Sequence, residues 1–187
     1  MPIQTLVSAT GLVLLMELGD KTMLTTVCLS AQYRRPWLVL LATIAALATS
    51  SIIAVIIGFI LSATLPIEII AYVSGILFIT LGLYTLTTSN SDVPDTCDNP
   101  GTMFGMFSLV LMSELGDKSQ ITILALAAQT PFAIMVFIGS IIGFLIVNAI
   151  GAWAGDRVAT RIPLNIVKKV VGIIFILFGV LIVMGIL

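Results

Sequence analysis

Glu17-Leu18-Gly19-Asp20-Lys21-Thr22 returns ninety-seven positions later as Glu114-Leu115-Gly116-Asp117-Lys118-Ser119. Each copy lies inside a long apolar run, and each carries three charges into it. An Asp or Lys at the centre of a membrane helix costs about 2.5–3.5 kcal/mol on insertion scales. Charges set there twice, in the same order, mark an ion or substrate pathway.

The composition around the motifs supplies the membrane. The chain has 187 residues, 59% of them hydrophobic and only 9% charged, where a soluble domain carries about 25% charge. This reads as an all-α, polytopic membrane protein without a soluble domain, since no polar stretch is long enough to build one. Nothing basic enough to hold nucleic acid is present, so the expected surroundings are the lipid bilayer. The start, Met1-Pro2-Ile3-Gln4-Thr5, lacks the basic residues that open a cleavable signal. The first apolar run is therefore expected to stay in the protein, and the protein to sit in a bacterial inner membrane.

A spanning helix needs about 20 apolar residues. Six runs qualify: Ile3 to Ala31, Trp37 to Ala63, Ile67 to Thr87, Gly101 to Ala128, Phe132 to Gly155 and Pro163 to Leu187. The repeat reaches well past the motif. At the same offset Gly58 meets Gly155, Pro66 meets Pro163, Gly75 meets Gly172, Phe78 meets Phe175 and Gly82 meets Gly179. The expected organisation is a three-helix unit over 1–87, an acidic loop over 88–100 and a second three-helix unit over 101–187. Three is odd, so the second unit enters from the opposite face, giving two inverted three-helix repeats. Arg34, Arg35, Arg157, Arg161, Lys168 and Lys169 then fall on one face. The positive-inside rule makes that face cytoplasmic and puts both termini outside. Gly101/Gly105, Gly139/Gly143 and Gly151/Gly155 are spaced for close helix packing.

Within a continuous helix, Glu17 would lie beside Asp20 and Lys21, and Glu114 beside Asp117 and Lys118. Together the two motifs hold four carboxylates and two ammoniums, a net charge of −2. One divalent cation neutralises that charge, and so do two protons. Metal and protons competing for one set of oxygens is the physical basis of an exchanger. The donors are hard. Carboxylates supported by Thr22, Ser119, Thr25, Thr122, Gln32 or Gln129 suit Mg, Ca or Mn. The chain has no histidine and no paired C-x-x-C, which disfavours zinc and copper. Gly19 and Gly116 can loosen each helix and free backbone carbonyls, which is tolerated at depth where backbone lines a cavity.

Other polar residues carry less. Asp92, Asp95 and Asp98 are spaced by three in the central loop and read as a solvated linker or as a cation-attracting mouth. Asn148, in the fifth run, stands where the first repeat has Ser51. It reads equally as pathway lining or as an interhelical hydrogen bond. Cys28 and Cys97 read as unpaired.

The doubled motif resembles the Gdt-one-type family, catalogued as uncharacterised protein family 0016. ELGDKT and ELGDKSQ both fit its pattern, Gln120 included. The resemblance implies a divalent cation/proton exchanger handling manganese and calcium. It implies a cation site of Glu17, Asp20, Glu114 and Asp117, with Lys21, Thr22, Lys118 and Ser119 completing the motif. The short central loop looks like that of bacterial members, some of which export manganese. The expected partners are therefore a divalent cation, Mn2+ or Ca2+, and protons. The metal is cargo; no cofactor is expected, and the reading is compatible with a homo-oligomer. Two rivals stand beside it. An intramembrane aspartyl protease would use Asp20 and Asp117 as a shared-proton pair, though the extra Glu and Lys overload such a site. An exporter of small organic solutes would need a roomier cavity and no metal.

Overall fold

The computed structural model describes residues 1–87, 100–159 and 164–185. Among the described residues there are eight helices and no strand: α1 Pro2–Glu17, α2 Lys21–Tyr33, α3 Pro36–Thr64, α4 Ile67–Thr87, α5 Met103–Glu114, α6 Lys118–Ala128, α7 Ala133–Ala159 and α8 Leu164–Val183. Prolines open α1 and α3, where the missing N–H is no loss. The expected second, third, fifth and sixth runs become α3, α4, α7 and α8. The first and fourth runs are corrected, because each is two short helices broken at the motif.

Among the described residues, three helices are long and apolar enough to cross a membrane by themselves: Pro36–Thr64, Ile67–Thr87 and Ala133–Trp153. The exterior is greasy and the interior carries the polar groups. Along α3, Ile52, Ile53, Ile56, Ile57, Phe59 and Ile60 are exposed while Thr43, Ser50 and Ser51 are buried. That is the reverse of a water-soluble helix, whose apolar stripe faces the core, and it identifies a membrane protein.

The helix pairings exchange when the two halves of the chain are exchanged. α1 packs on α7 as α5 packs on α3, and α2 packs on α7 as α6 packs on α3. α4 and α8 pack on each other. Their contact is backbone to backbone at glycines: a Cβ at Gly75 would lie 2.9 Å from the Gly179 carbonyl oxygen, and one at Gly172 would lie 3.0 Å from that of Gly82. Early α4 thus meets late α8 and late α4 meets early α8, so the two run in opposite directions. Phe78 and Phe175, both buried, meet edge to face between them with ring centroids 5.7 Å apart.

Of the close-packing glycines, Gly139 and Gly143 do seat α7 on α1, against the carbonyls of Leu6 and Thr10. Gly151 rests against Met23 and Val27. Gly101 and Gly105 do not join helices; the space beside Gly105 is filled by Pro100. Cys28 is disulfide-bonded, which corrects the unpaired reading, since motif spacing speaks only to local pairs. Cys97, the acidic row Asp92, Asp95 and Asp98, Arg161 and the side chains of Arg157 and Lys168 lie outside the described residues.

Candidate functional site at the two helix breaks

Each motif is the point where a helix stops and restarts. Gly19 and Gly116 have φ of 74° and 85°, the left-handed region that only glycine enters without steric cost. Leu18 and Leu115 before them, and Asp20 and Asp117 after them, are extended. Glu17 and Glu114 are thereby the last residues of α1 and α5, and Asp20 and Asp117 are the N-caps of α2 and α6. A helix that stops leaves last-turn carbonyls without intrahelical donors and presents the negative end of its dipole. Both features favour a cation near the two glutamates.

The breaks change which groups can meet. Glu17 is fully buried while Lys21 is exposed. Among the described residues the only ion pair crosses between the motifs: Lys118 Nζ donates to Asp20 Oδ1 at 2.6 Å. The expected pairings of Glu17 with Lys21, and of Glu114 with Lys118, on one helix face are therefore corrected. The left-handed glycine rotates the second half-helix out of register, so the i,i+4 relation no longer means a shared face.

The motifs interlock, but unequally. Glu114, buried, accepts from Ser119 Oγ at 2.9 Å and from Thr22 Oγ1 of the other motif. Glu17 is as deeply buried, and neither of its carboxylate oxygens has a hydrogen-bond partner. A buried carboxylate without a partner is among the most costly groups a protein can hold. Among the described residues, no three acidic side chains stand close enough to hold a metal together. The structure thus joins the motifs through Thr22–Glu114 and Lys118–Asp20 and leaves Glu17 open.

The supporting residues divide. Gln120 Oε1 accepts the Gly116 N–H at 2.6 Å and braces the second break, where the first has the Met23 sulfur, 3.3 Å from the Gly19 nitrogen. Thr25 and Thr122 donate to the carbonyls of Lys21 and Lys118, one turn back on their own helices. Gln129 donates to the Ala125 carbonyl at the end of α6, a capping role, and Gln32 is exposed at the end of α2. Asn148 makes the interhelical hydrogen bond that was one of its two expected roles, to partners that escaped the sequence reading. Thr26 Oγ1 donates to Asn148 Oδ1 at 2.8 Å and lies 3.4 Å from Thr43 Oγ1, all three fully buried. The signal was available: Thr22, Thr26 and Ser30 recur at the four-residue spacing of one helix face.

Buried acids at paired helix breaks, inside a bundle with an apolar exterior, define a membrane transporter for small cations. The chain belongs to the GDT1 family: the profile described as "Divalent cation/proton antiporter GDT1" matches residues 5–93 and 102–186. It is 29% identical over 168 residues to a candidate manganese exporter of Vibrio cholerae, covering 89% of this chain and 84% of that one. It is 31% identical over 191 residues to a GDT1-like protein of Synechocystis, covering 90% and 91%. The divalent cation/proton antiporter GDT1 of Saccharomyces cerevisiae is 24% identical over 223 residues, covering 89% and 79%. No solved structure matches. The family is one of transporters and not of enzymes, which removes the protease reading; a divalent cation and protons are its substrates, and no cofactor is called for.

Proposed function

We propose that this protein exports Mn2+ from the cytoplasm in exchange for protons, and that Glu17, Asp20, Glu114 and Asp117 bind metal and protons in turn. The observation that carries the reading is the unpartnered, fully buried carboxylate of Glu17 beside the interlocked motifs. Such a group calls for a cation or a proton, and an exchanger supplies each alternately. Lys118 holds the metal-free site together through Asp20, Lys21 adds its charge from an exposed position, and Thr22, Ser119 and Gln120 position the carboxylates and the second break. Ca2+ is the second candidate cargo, because it accepts the same oxygens. The name of the Vibrio cholerae relative favours manganese and export.

On this reading the chain crosses the membrane six times, as two inverted repeats over 1–87 and 101–187 joined by 88–100. The opposite directions of α4 and α8 and the exchangeable helix pairings support it. Each broken pair, α1–α2 and α5–α6, makes one crossing. Rocking of one repeat against the other would expose the site alternately.

Arg34 and Arg35 at the end of α2 favour the cytoplasmic face for that end. The disulfide at Cys28 in the same half-helix argues the other way, because disulfides persist in oxidising compartments. Side-specific labelling of a residue introduced between Arg34 and Pro36, in intact cells, decides the orientation.

The transport test is reconstitution into vesicles with a pH dye inside. Divalent ions are added one at a time, for the wild type and for Glu17→Gln. A metal-driven pH change present in the wild type and lost in the variant supports the reading; wild-type vesicles that respond to no divalent ion end it.

A further inference from the structure

The two halves of the bundle are chemically unlike just beyond the motifs. On the α2 side, Thr26, Thr43 and Asn148 join three helices through side-chain oxygens. One turn further along the same face of α2, Ser30 is buried and its hydroxyl has no partner. The positions equivalent by the ninety-seven-residue offset are Ile123, Ser140, Ser51 and Ala127. There the arrangement is dry. Ile123 and Ala127 are buried apolar core, and Ser51 and Ser140 donate only to carbonyls of their own helices, Leu47 and Phe137. So a file of oxygens runs from Thr22, which touches Glu114, along α2 toward its Arg34 end. No such file leaves the second motif along α6.

A cation moving through a protein needs oxygens to replace its lost hydration, and an apolar constriction stops it by excluding water. Asn148 also donates from Nδ2 to the Phe144 carbonyl of its own helix, but the bonds among the side-chain oxygens of the group can be exchanged for water or for an ion at little cost. Buried isoleucine offers no such exchange. Both sides are closed in this arrangement, and only the α2 side is already lined by side-chain oxygens that bond across helices. We infer that Thr26, Thr43, Asn148 and Ser30 form the route by which the divalent cation passes between the acidic site and the α2 end of the bundle. They are positioning groups for transit and take no part in holding the metal at rest. The inference rests on the proposed exchange reaction and adds a path to it.

Thr26→Val keeps the shape of the side chain and removes the hydroxyl. Metal-driven proton flux in vesicles should fall roughly tenfold or more, as should flux in Asn148→Leu, while Thr26→Ser restores at least half of the wild-type rate. Equilibrium Mn2+ binding to the purified protein, followed by the loss of the free-ion electron paramagnetic resonance signal, should stay within twofold of wild type in all three. Ser51→Ala and Ile123→Val, at the equivalent positions of the other half, should transport within twofold of wild type. If Thr26→Val does not fold, Thr43→Val carries the same expectation. Wild-type flux in Thr26→Val or Thr43→Val, equal losses in the two halves, or Mn2+ binding lost in step with flux would each overturn the route. A wild-type protein that moves no protons on metal addition would instead overturn the exchange reaction itself.

Discussion

The first and second motifs differ by one methyl group, Thr22 against Ser119, over six residues, yet their glutamates stand in opposite conditions. Glu114 accepts two hydroxyl hydrogen bonds and Glu17 none. Lys118 is bound to the opposite motif, and Lys21 is exposed. The six motif residues do not account for the difference, since they are otherwise identical. Two copies of a motif facing each other have a single shared set of hydroxyl and ammonium donors, and the described arrangement commits Thr22, Ser119 and Lys118 to one pattern of acceptors. Exchanging the halves would place Ser119 and Thr22 on Glu17, and Lys21 on Asp117. A transporter with two access states has a use for such a pair of equivalent but mutually exclusive arrangements.

Replacing the glutamates should separate the copies most sharply. Glu17→Gln should reduce metal-driven proton flux by roughly 100-fold or more, beyond what loss of a group that merely orients a ligand causes. The same change replaces an unpartnered carboxyl with an amide that never ionises, so the thermal midpoint of the metal-free protein should rise under alkaline conditions, where the carboxyl would have to carry its charge unpaired. Glu114→Gln should be as inactive, but it weakens two made hydrogen bonds and should destabilise the protein by about 1–2 kcal/mol. Thermal midpoints that move in the same direction for both variants would erase the distinction.

Acidity should come next in size. Metal binding to carboxylates releases protons, so apparent Mn2+ affinity should fall as pH falls, by up to about tenfold per pH unit for each proton exchanged. The sign is fixed by competition: protons favour the metal-free site. In Glu17→Gln the residual binding should show a shallower pH dependence, because one exchanging group is gone. Titrating Mn2+ binding at several pH values checks both statements, and a wild-type affinity indifferent to pH would contradict exchange.

The lysines test the asymmetry from the other charge. Lys118→Ala breaks a half-buried pair with Asp20 and should cost about 1–3 kcal/mol of metal-free stability. Lys21→Ala removes an exposed group and should change stability by less than about 0.5 kcal/mol. Both should slow transport, since each lysine has its partner in only one of the two arrangements. Equal destabilisation by the two changes would mean that the metal-free protein populates both arrangements evenly.

Much of this architecture is legible in the amino-acid sequence. The apolar runs mark the long helices to within a few residues, and the offset of ninety-seven picks out the glycines at which α4 and α8 touch. The doubled motif names the residues at the two helix breaks, of which the structure links Thr22 to Glu114 and Lys118 to Asp20, because a charge is too costly in an apolar run to persist there without a cation or a partner to meet. What failed was register. A continuous helix predicts Glu17 on Lys21, and one left-handed glycine makes that pair unavailable. Loosening was expected at Gly19 and Gly116 and the breaks are there, but a glycine does not say how far it turns the next half-helix, so the pairing across it was unreadable. Asn148 was legible as a polar residue in an apolar run, but Thr26, 122 positions from it, and Thr43, 17 from Thr26, stayed hidden, because the repeat that exposed the motifs and the glycines has no copy of this group.

The breaks themselves should behave alike where the bonds around them do not, and this is the smallest of the expected effects. At Gly116 an added Cβ meets nothing within 4 Å, so Gly116→Ala carries only the backbone strain of φ 85°. That strain is worth about 1–2 kcal/mol for an alanine held in the left-handed region. Gly19, at φ 74°, should suffer the same loss, read as a matching fall in thermal midpoint. Such equality would show that the hinge is a property of each repeat, set by its own sequence, while the hydrogen bonds across it belong to the state. A Gly19→Ala variant much more stable than Gly116→Ala would mean that the first break straightens at little cost. The unpartnered Glu17 would then be the mark of a helix ready to reform, and not of a site awaiting its ion.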